Sequence, residues 1–401
     1  MKKIFKKSLA VALTVCMAAA MTACGGSASK PAADSAPAAE EQTAEGGSAG
    51  AIKIGGSGPL TGPAAVYGQA VKNGAEIAVE EVNAMGGIQF IFQMEDDTHD
   101  PEKAENAYNA LVDWGMDMMM GTVTSAPAEV TAADAYADRY FFLTPSASSP
   151  NVIDGKDNVF QMCFTDPNQG SGSATYISEN NMGSKIAIIW KNDDSYSTGI
   201  RNTFVEKAGE LGLEIVAEQT FTEATKTDFS VQISKCQEAG ADLVFLPMYY
   251  EPASLILNQA NAAGYAPTWF GVDGMDGILT MEGFDTSLAE GVVVLTPYSA
   301  DDESALNQNF VKKYQEKFGE IPNQFAADGY DCIYAMYKAA TEAGIDPASM
   351  DHEAICDAMV AQFTSMTFDG LTGASMTWGS DGTVSKLPNA VVIENGAYVG
   401  M

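Results

Sequence analysis

The chain has 401 residues, 46% of them hydrophobic, and carries 53 acidic against 21 basic side chains, for a net charge of −32. So negative a protein is repelled by nucleic acid and by anionic lipid headgroups, which excludes both as natural partners. With only 2 histidines, His99 and His352, a histidine-based triad or zinc hydrolase has little material to work with.

Lys2, Lys3, Lys6 and Lys7 open the chain, and the apolar or small stretch from Ser8 to Met21 is too short to span a bilayer stably. Residues 1–23 therefore read as an export signal. Met21-Thr22-Ala23-Cys24 looks like a bacterial lipobox, in which Cys24 takes a diacylglycerol thioether and becomes the mature N-terminus; an ordinary signal followed by an incidental cysteine is the alternative. The segment 24–50 is almost entirely Gly, Ala, Ser, Pro, Thr and Glu, so it cannot bury enough apolar surface to order itself and reads as a tether. The expected location is the extracytoplasmic face of a bacterial membrane, held there by lipid alone. The remaining body of about 350 residues exceeds what one hydrophobic core usually serves, so two domains are expected.

From Ile52 the chain alternates strand-like and helical runs. Ile52–Gly56, Phe90–Met94, Asp117–Gly121 and Tyr140–Thr144 read as strands, with helices near 64–84, 101–114 and 127–138 between them. This β-α rhythm predicts a parallel sheet covered on both faces. After a less regular stretch holding Pro145 and Pro150, a second series follows: strands at 185–190, 214–217, 243–247 and 268–272, and helices at 198–211 and 252–263 that end at Gly212 and Gly264. Beyond 291–295 come helices near 303–318, 325–343 and 351–362 and short β-like pieces at 365–368 and 390–399. The helices at 303–343 have no new parallel series to join and are expected to return to the first lobe, which makes the lobes discontinuous.

In parallel α/β sheets, ligands bind beyond the carboxyl ends of the strands. There the first half offers Gly58–Gly68, Gly121–Pro127 and Thr144–Ser148, rich in hydroxyls and helix starts that suit a carboxylate. Singly, Ser125, Ser146 and Ser148 read as helix and turn caps; three such loops together shift the balance. The second half offers Asp193–Gly199, Met248–Pro252 and Val272-Asp273-Gly274, where aromatic rings plus an acid suit a cation, although Asp273 reads equally as a turn-former. Cys163, Cys236, Cys332 and Cys356 lack metal-ligand spacing; Cys332 and Cys356, on adjacent predicted helices, either pair or remain buried thiols. No cofactor fingerprint or nucleophile-base pair is present, so no cofactor and no enzymatic activity are expected.

Ile52–Gly55, Gly58-Pro59-Leu60-Thr61-Gly62, Tyr67-Gly68, Asn73–Ala78 and Val82–Ile88, followed in order by Asp96-Asp97, Asp100-Pro101, Thr144–Ser148, Gln259-Ala260, Gly264 and Tyr330-Asp331, resemble the branched-chain amino acid (leucine/isoleucine/valine) binding proteins of ABC importers. The resemblance runs from about 51 to 401. It implies an α/β type I periplasmic-binding-protein fold: two Rossmann-like lobes with parallel central sheets, three crossing segments and a hinge. Lobe 1 would comprise 51–166 with about 297–370, and lobe 2 about 167–296 with 371–401. It further implies an amino acid gripped by Ser125, Ser146 and Ser148 of the first lobe and by Tyr196, Tyr249 and Asp273 of the second, with Tyr67 lining the side-chain pocket and Asp166 at the first crossing. Family members often carry Glu where Asp273 stands, so the shorter arm leaves ligand identity open. The implied role is a monomeric lipoprotein that delivers its ligand to an ABC permease; a sensor showing its bound form to a signalling partner is the alternative.

Overall fold

A computed structural model describes residues 50–401. The expected signal, the lipidation cysteine Cys24 and the tether up to residue 49 lie outside the described residues.

Five strands, β1 (Ala51–Gly58), β2 (Gln89–Asp96), β3 (Met118–Gly121), β4 (Phe141–Thr144) and β5 (Val159–Gln161), form a wholly parallel sheet in the order β2-β1-β3-β4-β5. Its central strands read Met-Met-Met-Gly and Phe-Phe-Leu-Thr and are buried along their whole length, as expected of strands covered on both faces. One face packs under α2 (Pro101–Trp114) and α3 (Ser125–Ala137) through Tyr108, Leu111, Ala128 and Phe142. The other meets α1 (Ala65–Met85), α9 (Gln324–Ala343) and α10 (His352–Phe363). The helices at 324–363 therefore do return to the first sheet.

The second sheet runs β12-β11-β10-β9-β8-β6-β7. Its members are β6 (Lys185–Lys191), β7 (Glu214–Phe221), β8 (Leu243–Leu246), β9 (Thr268–Gly271), β10 (Val293–Thr296), β11 (Asn389–Glu394) and β12 (Ala397–Gly400). The five strands β6 to β10 are parallel and repeat the strand order of the first sheet, whereas β11 and β12 pair antiparallel, an edge that the expectation of a parallel sheet did not include. The helices α4 (Asp166–Glu179) and α5 (Ser195–Leu211) cover one face, where Phe204 stacks on Phe245 with ring centroids 4.0 Å apart. Each such buried ring contributes about 2–3 kcal/mol of transfer free energy. The other face carries α6 (Ser230–Glu238) and α7 (Tyr250–Ala262), and α8 (Ala305–Phe318) packs against α1.

Two elements were not read from the sequence. Strand β5 is three residues long, and α4 contains Gly170, Ser171, Gly172 and Ser173, all poor helix formers. Packing explains the glycine: a β-carbon at Gly170 would overlap Thr203 and the Ile200 carbonyl of α5, so Gly170 permits close contact between the two helices. The same device joins α1 to α9, where a β-carbon at Gly74 would strike the Ala326 carbonyl and one at Gly329 the Val71 carbonyl.

The chain passes between the sheets three times: from β5 into α4, from β10 into α8, and just before β11. The last passage comes later than expected. Residues 371–386, assigned from sequence to the second lobe, stay on the first: Trp378 Nε1 donates to Gln161 O at 2.8 Å, Gln161 N to Gly382 O at 3.0 Å, and buried Lys386 pairs with buried Asp328 at 3.1 Å. Burying Trp378 and Val384 outweighs continuity with β11. Cys163, Cys236, Cys332 and Cys356 are all free and buried, which decides the Cys332–Cys356 alternative in favour of thiols.

Candidate functional site between the two sheets

Both sheets reverse strand order next to their first strand, between β1 and β3 and between β6 and β8. At such a switch point adjacent loops diverge and leave a crevice. The two crevices face each other.

On the first side, the loop after β1 is held by Asp96, which accepts from Leu60 N at 2.8 Å and from Thr61 Oγ1 at 2.5 Å. This sets the entry to α1, whose first turn carries buried Tyr67. After β3, helix α3 starts at Ser125 with no side-chain cap: Pro127, at the third helical position, has no N–H to offer Thr124, whose Oγ1 instead meets His99 Nδ1 at 2.9 Å. Ala128 N donates to Thr124 O, so the N–H groups of Ser125 and Ala126, at the positive end of the α3 dipole, are left for an incoming acceptor. After β4, Ser146 Oγ donates to Val123 O at 2.6 Å and fixes the neighbouring loop.

On the second side, Asp194 caps α5 by accepting from Ser197 N at 2.9 Å and so orients Tyr196. Tyr196 Oη donates to Asp273 Oδ1 at 2.5 Å and accepts from Gly274 N at 2.9 Å. A β-carbon at Gly274 would lie 2.6 Å from that hydroxyl, so glycine is what allows the approach. The Asp273 backbone is held by Gln169 Oε1, which accepts from its N–H at 3.3 Å, and by Gln324 Nε2, which donates to its carbonyl at 2.7 Å. Tyr249 stacks on Tyr196 with centroids 4.7 Å apart and planes 9° apart, and among the described residues its buried hydroxyl has no partner.

Of the seven expected ligand residues, Tyr67, Ser125, Ser146, Tyr196, Tyr249 and Asp273 line one cavity. Ser148 does not: its hydroxyl donates to Asp166 Oδ1 at 2.6 Å, behind the cavity wall, because a carboxylate buried at the start of α4 requires a donor. Asp166 itself stands at the first passage between sheets, against Gly199 of α5. Phe325, Thr124, Val123 and Gly274 complete the lining; the last three lie in loops that the sequence marked as ligand-facing, and Phe325 lies outside them. Phe325 lies in the first turn of α9, about 50 residues beyond Gly274 and more than 250 beyond Tyr67, and only its place after the helix-capping Asn323 could have drawn notice.

Burial pushes the Asp273 carboxyl up to about 7 and the Tyr67 and Tyr196 phenols well above their ordinary range, so both phenols stay neutral donors. Burial, with Lys191 beside it, lowers His99 to about 4; its uncharged ring meets Tyr249 edge-on at 5.3 Å and extends the aromatic wall. The cavity thus sets an acid framed by rings against a helix start, a pairing suited to holding a charged solute.

The periplasmic binding protein family model matches residues 51–396. The chain belongs to the branched-chain amino acid binding proteins. It is 30% identical to a Leu/Ile/Val-binding protein homolog of Brucella suis over 323 residues, 78% of this chain and 84% of that one. A Leu/Ile/Val-binding protein homolog of Brucella melitensis is 32% identical over 229 residues, 56% of this chain and 61% of that protein's length. Among solved structures it resembles the branched-chain amino acid transporter substrate binding protein LivJ of Streptococcus pneumoniae in complex with isoleucine, with 28% identity and a TM-score of 0.78, covering 87% of this chain and 97% of that one. As a periplasmic binding protein it is a solute binder, not an enzyme, and works outside the cytoplasm. No helix among the described residues is long and apolar enough to cross a membrane.

Proposed function

We propose that this protein captures an amino acid with an aliphatic side chain between its lobes and delivers it, as a monomeric lipoprotein anchored through Cys24, to an ABC permease. One observation carries the reading: Asp273, framed by Tyr196 and Tyr249, faces the uncapped start of α3 across a single small cavity. The acid pairs the ammonium, and the N–H groups and Ser125 take the carboxylate. Tyr67, Val123, Tyr249 and Phe325 give the side chain an apolar wall. The relatives' names point to the same ligands.

The space left at the centre is about 10 Å³, roughly what one water needs, so a ligand enters only when the lobes part. Closure around it is favoured because only the closed form touches it from both sides.

Calorimetry with isoleucine, leucine, valine and alanine tests the ligand. A branched-chain amino acid should bind, and both Asp273→Asn and Ser125→Ala should weaken it with circular dichroism unchanged, the former by about 100-fold as befits a buried charge pair. Absence of binding heat for every amino acid, or unaltered affinity in both variants, overturns the proposal. Labelling cells with a radioactive fatty acid tests the anchor, which Cys24→Ala should abolish.

A further inference from the structure

Beside the second passage between the lobes lies a cavity of about 410 Å³ that shares no lining residue with the Tyr67–Asp273 site. This is the size of a small-molecule pocket. Leu279, Val294, Val311 and Ile321 give it apolar walls. Its polar side chains are acids, hydroxyls and the Asn323 amide. Asp276, only 5% exposed, spends Oδ2 on Gln324 N at 2.9 Å, while among the described residues neither Asp276 Oδ1 nor the buried Tyr298 hydroxyl has a hydrogen-bond partner. The Tyr398 hydroxyl stands at the same end, accepting from Gly277 N at 3.2 Å. Asp301 adds a second acid to the lining, which contains no lysine, arginine or histidine.

A buried carboxylate oxygen and a buried phenol without partners each cost free energy that a suitable ligand would recover. We infer that this cavity is a second small-molecule site, for a compact organic cation whose primary ammonium pairs with Asp276 and Tyr298 and whose apolar body fills the space between Leu279, Val294 and Ile321. An ammonium has three N–H donors to offer, a neutral or anionic head would leave the Asp276 charge uncompensated, and the phenol rings favour a positive group.

The site has a route to the first one. Asp276 lies on the same short turn as Asp273, and Gln324 binds both, through its backbone N–H to Asp276 and its side-chain amide to the Asp273 carbonyl. A cation held at Asp276 therefore acts on the arm that carries Asp273, and by linkage any change in amino acid affinity is returned as an equal change in cation affinity.

Benzylamine, titrated into the purified full-length body by calorimetry, tests the inference. Saturable binding with one site per chain is expected, and benzyl alcohol, the same body without the charge, should bind at least about tenfold more weakly. Asp276→Asn should weaken benzylamine by a similar factor. Val311→Phe, which fills the space from the side of α8, should abolish binding with circular dichroism unchanged. Excess isoleucine should not displace benzylamine. No saturable binding, equal binding of the alcohol, binding that survives Val311→Phe, or competition by isoleucine each overturns the assignment. The alcohol and Val311→Phe comparisons decide the matter even if Asp276→Asn fails to fold, and failure of isoleucine to bind bears on the first cavity alone.

Discussion

The Tyr67 hydroxyl, at the start of α1 on one side of the cavity, donates to the Gly274 carbonyl on the other and accepts from Tyr250 N at 3.1 Å. A single phenol thereby satisfies two backbone groups of the opposite lobe and ties the wall of the side-chain pocket to the turn that carries Asp273.

Tyr67→Phe keeps the ring but leaves the Gly274 carbonyl and the Tyr250 N–H without their partner in the closed form. Each lost bond is worth about 1 kcal/mol, so the closed form should lose stability relative to the open one and ligand affinity should fall about five- to thirtyfold. Calorimetry measures the affinity, and solution X-ray scattering should show a larger radius of gyration for the ligand-free variant.

The Asp273 carboxyl, raised by burial to about 7, gives ligand binding a pH dependence. A bound ammonium favours the ionised form and lowers that value in the complex. Affinity should therefore be constant above pH about 7 and weaken as pH falls, by up to about tenfold per unit, until the carboxyl of the complex itself protonates. The stability of the ligand-free protein follows the opposite course. Asp97 and Asp273 at about 7, and Asp194 and Asp276 at about 6, are all raised by burial above the ordinary carboxylate value. Each contributes stability that is fully present below pH about 4 and lost as pH rises through its folded value. Thermal melts without ligand should show a lower Tm at pH 8 than at pH 5.5, and a Tm independent of pH across this window would contradict the placement of these acids.

Lys386, 2% exposed, stands 3.1 Å from Asp328 and also donates to Thr372 Oγ1 at 2.5 Å; Thr372 in turn donates to Asp331. Lys386→Met would leave two buried carboxylates without a cation, a change expected to cost about 3–5 kcal/mol in urea denaturation. Lys386→Met with Asp328→Leu removes both charges and should recover much of that loss.

The four buried thiols should be inert to a thiol reagent in the native protein, and all four should react after unfolding without reductant. Burial raises Cys236 and Cys356 to about 12, which suppresses the reactive thiolate. A yield of two thiols in denaturant would indicate a disulfide instead.

The repeating strand-helix rhythm was legible because the central β-rich runs are short, buried and bounded by loops with helix-start chemistry, as in Asp96–Asp100 before α2 and Asp193–Ser197 at α5. The same loops exposed Ser125, Tyr196 and Asp273, since residues just past strand ends sit where a parallel sheet opens. Helix α4 escaped notice because it carries glycines that packing requires, Gly170 against α5 and Gly172 against Leu295 and Pro388, a tertiary demand that overrides propensity. Phe325 was hidden because it opens a helix that read only as cover for the first sheet. Ser148 was misplaced because hydroxyls look alike in a sequence, and only packing reveals that Asp166 claims this one.

The glycine contacts between α1 and α9 bear on how a solute is met. With Gly74 against the Ala326 carbonyl and Gly329 against that of Val71, the two helices touch backbone to backbone, and they carry Tyr67 and Phe325, whose rings sit 4.4 Å apart. Two side chains rooted in helices locked this closely cannot shift independently, so this half of the binding surface is a rigid mould cast before any solute arrives. Adjustment to solutes of different length then falls to Tyr249 and the turn around Asp273, and evolution can retune selectivity there without disturbing the α1–α9 seam.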